Sequence, residues 1–126
     1  FEHRSYGEEL ALCQRYYYKI NSADNNAPYQ RYAVVSVETS TNAEAFFQHP
    51  VTMRTNPTLE ASAAANFHIY SANTATVLST NMVIDQSSPS TTGLALTVAS
   101  GLTAGRAGLL NSNNNNTSYI AFNAEL

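Results

Sequence analysis

The sequence predicts a mainly β fold, a jelly-roll-like β-sandwich preceded by one short N-terminal α-helix. Short runs of β-branched and aromatic residues recur along the chain, and turn-forming residues separate them at short intervals. A helix start motif precedes the first of these runs. Since 126 residues suffice for one core, we expect a single domain over residues 1–126, with a helical lead-in at 1–19 and the β-sandwich at 20–126.

The helical lead-in is predicted to begin near Tyr6. Ser5 and Glu8 have the spacing of a capping box, in which each side chain accepts a backbone N–H at the start of the helix. Apolar side chains recur at helical spacing as Tyr6, Leu10, Cys13 and Tyr17. We therefore expect this apolar stripe to pack against another surface, with the lone Cys13 buried as a small hydrophobic side chain.

Four strands are expected in the first part of the chain after the helix. A dense run of turn formers at Asn21–Pro28 predicts the loop that precedes them. The expected strands are Tyr32–Thr39, Pro50–Arg54, Thr58–Ala63 and Phe67–Tyr70. In the last of these, alternation places Phe67 and Ile69 on one face and His68 and Tyr70 on the other.

Four further strands are expected in the second part of the chain. They are Thr76–Ser79, Met82–Ile84, Gly93–Ala99 and Tyr119–Phe122. The connections expected between them are Asp85–Thr92, Gly101–Gly108 and the amide-rich Asn111–Asn116. Seven or eight short strands with frequent turns are typical of a β-sandwich.

Composition argues against several classes of function. Only 12% of the residues are charged and the net charge is −3, whereas nucleic-acid binding requires a basic face. No apolar run approaches the roughly 20 residues of a membrane helix. The histidines are too scattered to predict a metal site, so we expect no metal or cofactor. Because the chain starts at Phe1 without a leader, we expect it to be a piece of a longer polypeptide.

Three separate pieces of the sequence resemble one known family. The opening pieces are Phe1–Arg4, Gly7–Ala11 and Cys13–Tyr17, the middle piece is Met53-Arg54 with Pro57-Thr58, and the last is Ala121–Leu126. In this order they are similar to motifs of the C-terminal domain of phage and prophage tail-fibre-type proteins, which often end in Ala-Glu-Leu. Residues 20–44 and 60–117 have no part in the resemblance.

The resemblance implies a virion structural protein, the distal tip domain of a trimeric tail fibre or tailspike. Its implied partners are two further copies in a homotrimer, the N-terminal part of the same fibre, and host surface polysaccharide or lipopolysaccharide. Small residues at Ala61–Ala65, and Ala95 with Thr97, fit outward faces that meet neighbouring chains, although they equally fit ordinary filler.

Two loops have the residue types that bind sugars. Aromatic rings stack on the CH faces of a sugar, and amides, carboxylates and cations pair with its hydroxyls. The candidates in the first loop are Asn25, Asn26 and Tyr29, beside Asp24, and those in the second are Asn113 and Asn114 with Asn111, Asn115 and Asn116, near Arg106. A third pair, His68 and Tyr70, is better explained by cross-strand stacking. The competing interpretations are that Tyr29 packs beneath its loop and that the asparagine run is a solvated turn.

Two alternative functions stay open at this stage. One is a structural trimerisation module with recognition elsewhere, and the other is a short glycan depolymerase. A depolymerase needs two carboxyl groups roughly 5 to 9.5 Å apart across a cleft, and the carboxylates available outside the helix and its loop are Glu38, Glu44, Glu60 and Asp85. None lies in a glycosidase motif, so we predict that the protein is not an enzyme and that these groups are solvated.

Overall fold

The computed structural model describes residues 5–22, 26 and 28–125, and only the backbone of residues 79–81. Within these residues, one α-helix is followed by nine β-strands, with a 3₁₀ turn at Ala64–Asn66 before the fifth strand. The helix α1 spans Tyr6–Gln14, and the strands are β1 (Tyr17–Asn21), β2 (Arg31–Val37), β3 (Asn42–Gln48), β4 (Thr58–Ala61), β5 (Phe67–Ser71), β6 (Thr74–Ser87), β7 (Thr91–Val98), β8 (Ala107–Ser112) and β9 (Tyr119–Asn123).

The strands form a closed six-stranded barrel and a second, three-stranded sheet. The barrel order is β2-β3-β7-β6-β5-β8, and the order in the small sheet is β1-β9-β4. Neighbouring strands are antiparallel throughout. The predicted mainly β class with one short helix is therefore confirmed.

Alternation along the strands builds the core. In β7 every second residue is buried, so Leu94, Leu96 and Val98 enter the barrel as expected. The small sheet joins the same core through Ile120 and Phe122 of β9, which are both fully buried. Because one apolar cluster spans both sheets, the small sheet is packed on the barrel.

The segment after β2 departs from the sequence prediction. Asn42–Gln48 forms β3, whereas the strand expected at Pro50–Arg54 is absent. Alanines alternate into the core of β3, and their low β-propensity conceals the strand in the sequence. At the expected strand, proline offers no ladder donor, and the N–H groups of Met53 and Arg54 donate instead to loop carbonyl groups.

Strand β6 also differs from the prediction. Thr74–Ser87 is one 14-residue strand where two were expected, at Thr76–Ser79 and Met82–Ile84. Its pairing with β7 shifts register twice, as at β-bulges. The first shift lies between Leu78 and Met82, where the sequence had indicated a break between two strands. The connection expected at Asp85–Thr92 accordingly shrinks to residues 88–90.

The helix is shorter than the predicted lead-in at 1–19. Its capping box is confirmed, with the Glu8 N–H donating to Ser5 Oγ at 3.2 Å and the Ser5 N–H donating to Glu8 Oε2 at 3.3 Å. However, α1 ends at Gln14, because the aromatic run from Tyr17 joins β1 and pairs with β9.

The apolar stripe of the helix is not buried against the rest of the chain. No residue of α1 is buried, and Tyr6 is 81% and Leu10 42% exposed. Cys13 is also exposed, so the prediction that it is buried was wrong. With Tyr17 drawn into β1, the nine-residue helix presents only part of the expected stripe.

The pieces behind the family resemblance meet at one junction. Arg54 Nη1 donates to the carbonyl groups of Ala124 and Glu125 at 3.1 and 3.0 Å. Its guanidinium lies 5.8 Å from the ring centroid of Tyr16, and the Ala124 N–H donates to the Tyr16 carbonyl at 2.8 Å. The opening, middle and closing motifs are thus in direct contact, while Phe1–Arg4 and Leu126 lie outside the described residues.

Candidate functional site

A groove of about 350 Å³ lies on the outside of the barrel, where β2, β8 and β5 are neighbouring strands. Tyr29, which precedes β2, lies at one side of the groove. We call it the aromatic groove. Its lining residues are Tyr29, Arg31, His68, Tyr70, Ala75 and Asn111.

Three rings form the aromatic side of the groove. The ring centroids of Tyr29 and His68 are 6.2 Å apart, and those of His68 and Tyr70 are 6.5 Å apart. Tyr29 is 51% and Tyr70 37% exposed, whereas His68 is buried. Two tyrosine rings therefore offer accessible apolar faces on either side of a histidine.

Arg31 and Asn111 form the polar side of the groove. Arg31 Nη1 donates to the Tyr29 carbonyl at 3.0 Å. The orientation of the Asn111 amide that satisfies its neighbours has its nitrogen donating to the Leu110 carbonyl and its oxygen accepting from Arg31 Nη1, both at 3.3 Å. The guanidinium is thereby fixed at two points beside the rings.

His68 connects the two sides of the groove. Its Nδ1 lies 3.5 Å from Asn113 Oδ1, and its Nε2 lies 3.4 Å from the Asn111 amide position that the orientation above assigns to the oxygen, so the neutral ring donates to one of the two. Burial is the main cause that lowers the pKa of His68, and the nearby Arg31 cation lowers it further, while the bond to Asn113 acts in the opposite direction. The ring is consequently neutral at pH 7.

The loop that holds Tyr29 is tied down on both sides of the ring. Ser112 Oγ donates to the Pro28 carbonyl at 2.7 Å and accepts from the Gln30 N–H at 2.7 Å. The Ser112 N–H donates to the Gln30 carbonyl at 2.9 Å. Because Ser112 is fully buried, Tyr29 is presented by a fixed backbone, although half of its side chain is exposed and does not pack beneath the loop.

Among the residues that the sequence nominated for sugar binding, Tyr29 and Asn113 both contact His68, and Asn26 contacts the asparagine loop. Asn116 Nδ2 donates to Asn26 Oδ1 at 2.8 Å, so the two nominated loops touch. Asn113 contacts His68 at the edge of the groove, and Asn114 is exposed with a positive φ of 45°. Asn25 lies outside the described residues.

Arg106 lies apart from this group. It precedes β8, whereas the asparagines follow that strand, and six strand residues separate the two ends by roughly 20 Å. A small polar cavity of about 150 Å³ adjoins Arg106 together with Ser71, Thr74 and Gly101. The expected proximity of Arg106 to the asparagine loop was wrong, because Asn111 and Ser112 belong to β8 and are buried rather than part of that loop.

Sequence reasoning missed two residues of the groove and undervalued two. Arg31 was not nominated and Ala75 gave no signal, Asn111 was nominated with the asparagine loop, and His68 with Tyr70 was attributed to cross-strand stacking. The available signal was the pair Tyr29 and Arg31, which are two residues apart at a strand entrance. Their meeting with β5 and β8 depends on the barrel order and is not visible in the sequence.

None of the carboxylates considered for a depolymerase lines the aromatic groove. Burial is the main cause that raises the pKa of Glu44, and the nearby charges of Asp85 and Glu38 raise it further. Glu60 accepts a hydrogen bond from Asn123 Nδ2 at 2.6 Å. None of the described grooves is lined by two carboxyl groups, which is the arrangement that a glycosidase requires.

Among residues 5–22, 26 and 28–125, no group of three or more His, Cys, Asp or Glu side chains is placed to hold a metal ion. The helix in the same part of the chain is too short and too polar to cross a membrane.

Comparisons of the chain with protein-family models, with curated proteins and with solved structures find no match. The features of this chain that bear on its function are the aromatic groove and the sequence motifs that meet around Arg54.

Proposed function

We propose that this protein is a virion attachment domain, the distal tip of a tail fibre or tailspike, and that it binds host cell-surface glycan in the aromatic groove. The motif resemblance supports the virion assignment, and the groove supports the glycan. The proposal includes a homotrimer joined to the N-terminal part of the same fibre, and surface polysaccharide or lipopolysaccharide as the partner. The jelly-roll topology expected from the sequence stays a prediction.

The chemistry of the groove suits a sugar ring. Exposed tyrosine faces stack on CH groups at little conformational cost, because a tyrosine side chain has only two rotatable angles. Arg31, which Asn111 orients from beneath, supplies hydrogen-bond donors for hydroxyl groups. A volume of about 350 Å³ lies within the roughly 300–1,000 Å³ of small-ligand sites.

One observation supports this proposal more than any other: the backbone on both sides of the half-exposed Tyr29 is pinned by the buried Ser112. A surface aromatic side chain fixed in this way loses little further freedom on binding, which favours affinity. Arg31 adds a second restraint through the Tyr29 carbonyl.

We expect Tyr29→Ala to weaken glycan binding about tenfold or more, since truncating an anchoring aromatic side chain commonly has an effect of that size. The measurement is the dissociation constant, by biolayer interferometry, for immobilised lipopolysaccharide and capsular polysaccharide from a panel of bacterial strains. Phe46→Ala is the control, because Phe46 is 60% exposed on β3 and does not line the groove. Unchanged binding of Tyr29→Ala would remove the groove from the proposal, and absence of wild-type binding to the panel would remove glycan attachment.

A specific observation favours the second candidate function, a structural trimerisation module. Tyr6, Leu10 and Leu12 are exposed on the nine-residue helix. Leu12 also lines an open groove of about 590 Å³ with Ala11 and Val51. An apolar helix face and an adjoining apolar groove are typical of surfaces that meet another chain.

We expect Leu10→Asp to abolish self-association while leaving the fold intact. Leu10 is 42% exposed, so a charge there remains solvated in one chain but would be buried unpaired in an interface. Light scattering at several concentrations, with circular dichroism for the fold, provides the measurement. Ala104→Asp, in the exposed loop between β7 and β8, is the control. A monomeric wild type, or a Leu10→Asp protein that still forms the trimer, would contradict the assignment of this face.

A further inference from the structure

We infer that the aromatic groove selects saccharides that carry an oxyanion, either a carboxylate or a phosphate. This inference depends on the proposed function, because it names the class of glycan that the same groove would bind.

Arg31 is a fixed cation with part of its guanidinium available. The group has five N–H donors, and two bonds occupy Nη1, one to the Tyr29 carbonyl at 3.0 Å and one to the Asn111 amide oxygen at 3.3 Å. Nε and Nη2 donate to no acceptor in the described residues. Together they form the planar edge that binds a carboxylate or phosphate through two parallel hydrogen bonds.

Among the residues that the structure describes around Arg31, none provides a counter-charge. None of the other lining residues of the groove is acidic, and His68 is neutral at pH 7 because burial lowers its pKa. Within the described part of the chain, no acidic side chain forms an ion pair with Arg31. Arg31 is therefore the only charged group among the described lining residues, and an anionic ligand would neutralise it.

The exposed rings of Tyr29 and Tyr70 explain why the expected ligand is an acidic sugar rather than a free anion. A single exposed ion pair contributes little binding energy in water, so an anion alone would be held weakly. The carboxylate of a hexuronic acid projects from the edge of the sugar ring. The ring face can therefore stack on Tyr29 or Tyr70, which are both accessible, while the carboxylate reaches Arg31.

The test uses acidic glycans paired with their neutral counterparts. Oligogalacturonate and polysialic acid are each paired with the carboxyl-reduced form, and phosphorylated lipopolysaccharide core with its dephosphorylated form. We expect the wild type to bind acidic members at least about tenfold more tightly than their counterparts, as for a charge-assisted hydrogen bond. The carboxyl and phosphate arms distinguish the two sources of the oxyanion.

Variants separate a direct role of Arg31 from a structural one. Arg31→Gln should bind the acidic and neutral members of each pair equally, and Arg31→Lys should keep part of the preference. If Arg31→Gln acted only by displacing Tyr29, the variant would bind both the acidic and the neutral member more weakly and would keep the preference for the acidic one. Arg15→Gln, at the exposed end of α1, makes the same charge change outside the groove and should retain the wild-type preference.

The outcomes distinguish the two proposals. Equal binding of acidic and neutral members by the wild type, or a preference retained in Arg31→Gln, would overturn the inference and leave glycan attachment standing. Absence of wild-type binding to every member, and to the strain panel described above, would overturn both.

Discussion

Replacing Phe122 with alanine is expected to lower the free energy of unfolding by about 3–5 kcal/mol, the usual cost of deleting a fully buried phenylalanine. Phe122 is 0% exposed, and its ring lies 5.3 Å from that of Phe47 and 4.9 Å from that of His49. It also stacks on Tyr18 at 6.2 Å. The residue joins the small sheet to the barrel, so its loss leaves a cavity where the two sheets meet.

Urea denaturation followed by circular dichroism measures this effect. Phe46→Ala is the matched control, because Phe46 is 60% exposed on β3 and an exposed substitution typically changes stability by less than about 0.5 kcal/mol. If both variants lost the same stability, the small sheet would not share the core of the barrel.

Acidification below about pH 6.5 is expected to destabilise the protein through two buried histidines. Burial lowers the pKa of His49 and is the main cause that lowers the pKa of His68. Above pH 6.5 the two histidines are mostly neutral in the folded chain and in the unfolded chain alike. As the pH falls below the ordinary histidine pKa, the unfolded chain binds protons that the folded chain excludes, so the free energy of unfolding falls. The limiting slope is about 1.4 kcal/mol per pH unit for each histidine.

The environment of His49 explains why its protonation is unfavourable. His49 Nε2 lies 2.9 Å from Thr92 Oγ1, and Nδ1 has no hydrogen-bond partner in the described part of the structure. Tyr18 and Phe122 pack against the ring edge to face. A proton on Nδ1 would therefore place an unpaired charge among aromatic rings.

Urea titrations at half-unit steps from pH 7.5 to 5 test the prediction. His49→Gln, which retains a donor for Thr92, should reduce the slope below pH 6.5 by up to about 1.4 kcal/mol per unit. Glu44 acts in the opposite direction, since its raised pKa lets the folded chain bind a proton first, and Glu44→Gln removes that contribution. Stability that is unchanged across this range in both the wild type and Glu44→Gln would contradict the prediction.

The functional proposal combines arguments of two kinds. The motif resemblance concerns residues that meet around Arg54, where they close the junction between α1, the loop after β3 and the end of β9. The groove is built by other residues, which have no part in that resemblance. Attachment and glycan specificity can accordingly fail or hold separately, and the experiments above test them separately.

Much of the local structure could be predicted because short-range interactions decide it. The capping box of Ser5 and Glu8 sets the helix start, and the alternation of Leu94, Leu96 and Val98 sets the buried face of β7. By contrast, β3 was missed, because alanine has a low β-propensity. Ala43 and Ala45 are suited to this strand only because they face the crowded interior of the barrel.

The sequence by itself determined the mainly β class, the helix start and most strands, because each depends on residues that are neighbours in the chain. Only the tertiary structure decided the rest. Closure of the barrel placed β8 between β2 and β5, which brought Asn111 beside Arg31 and His68 and removed Arg106 to the far end of β8. The physical reason is that pairing between distant strands, not local propensity, fixes which side chains share a surface.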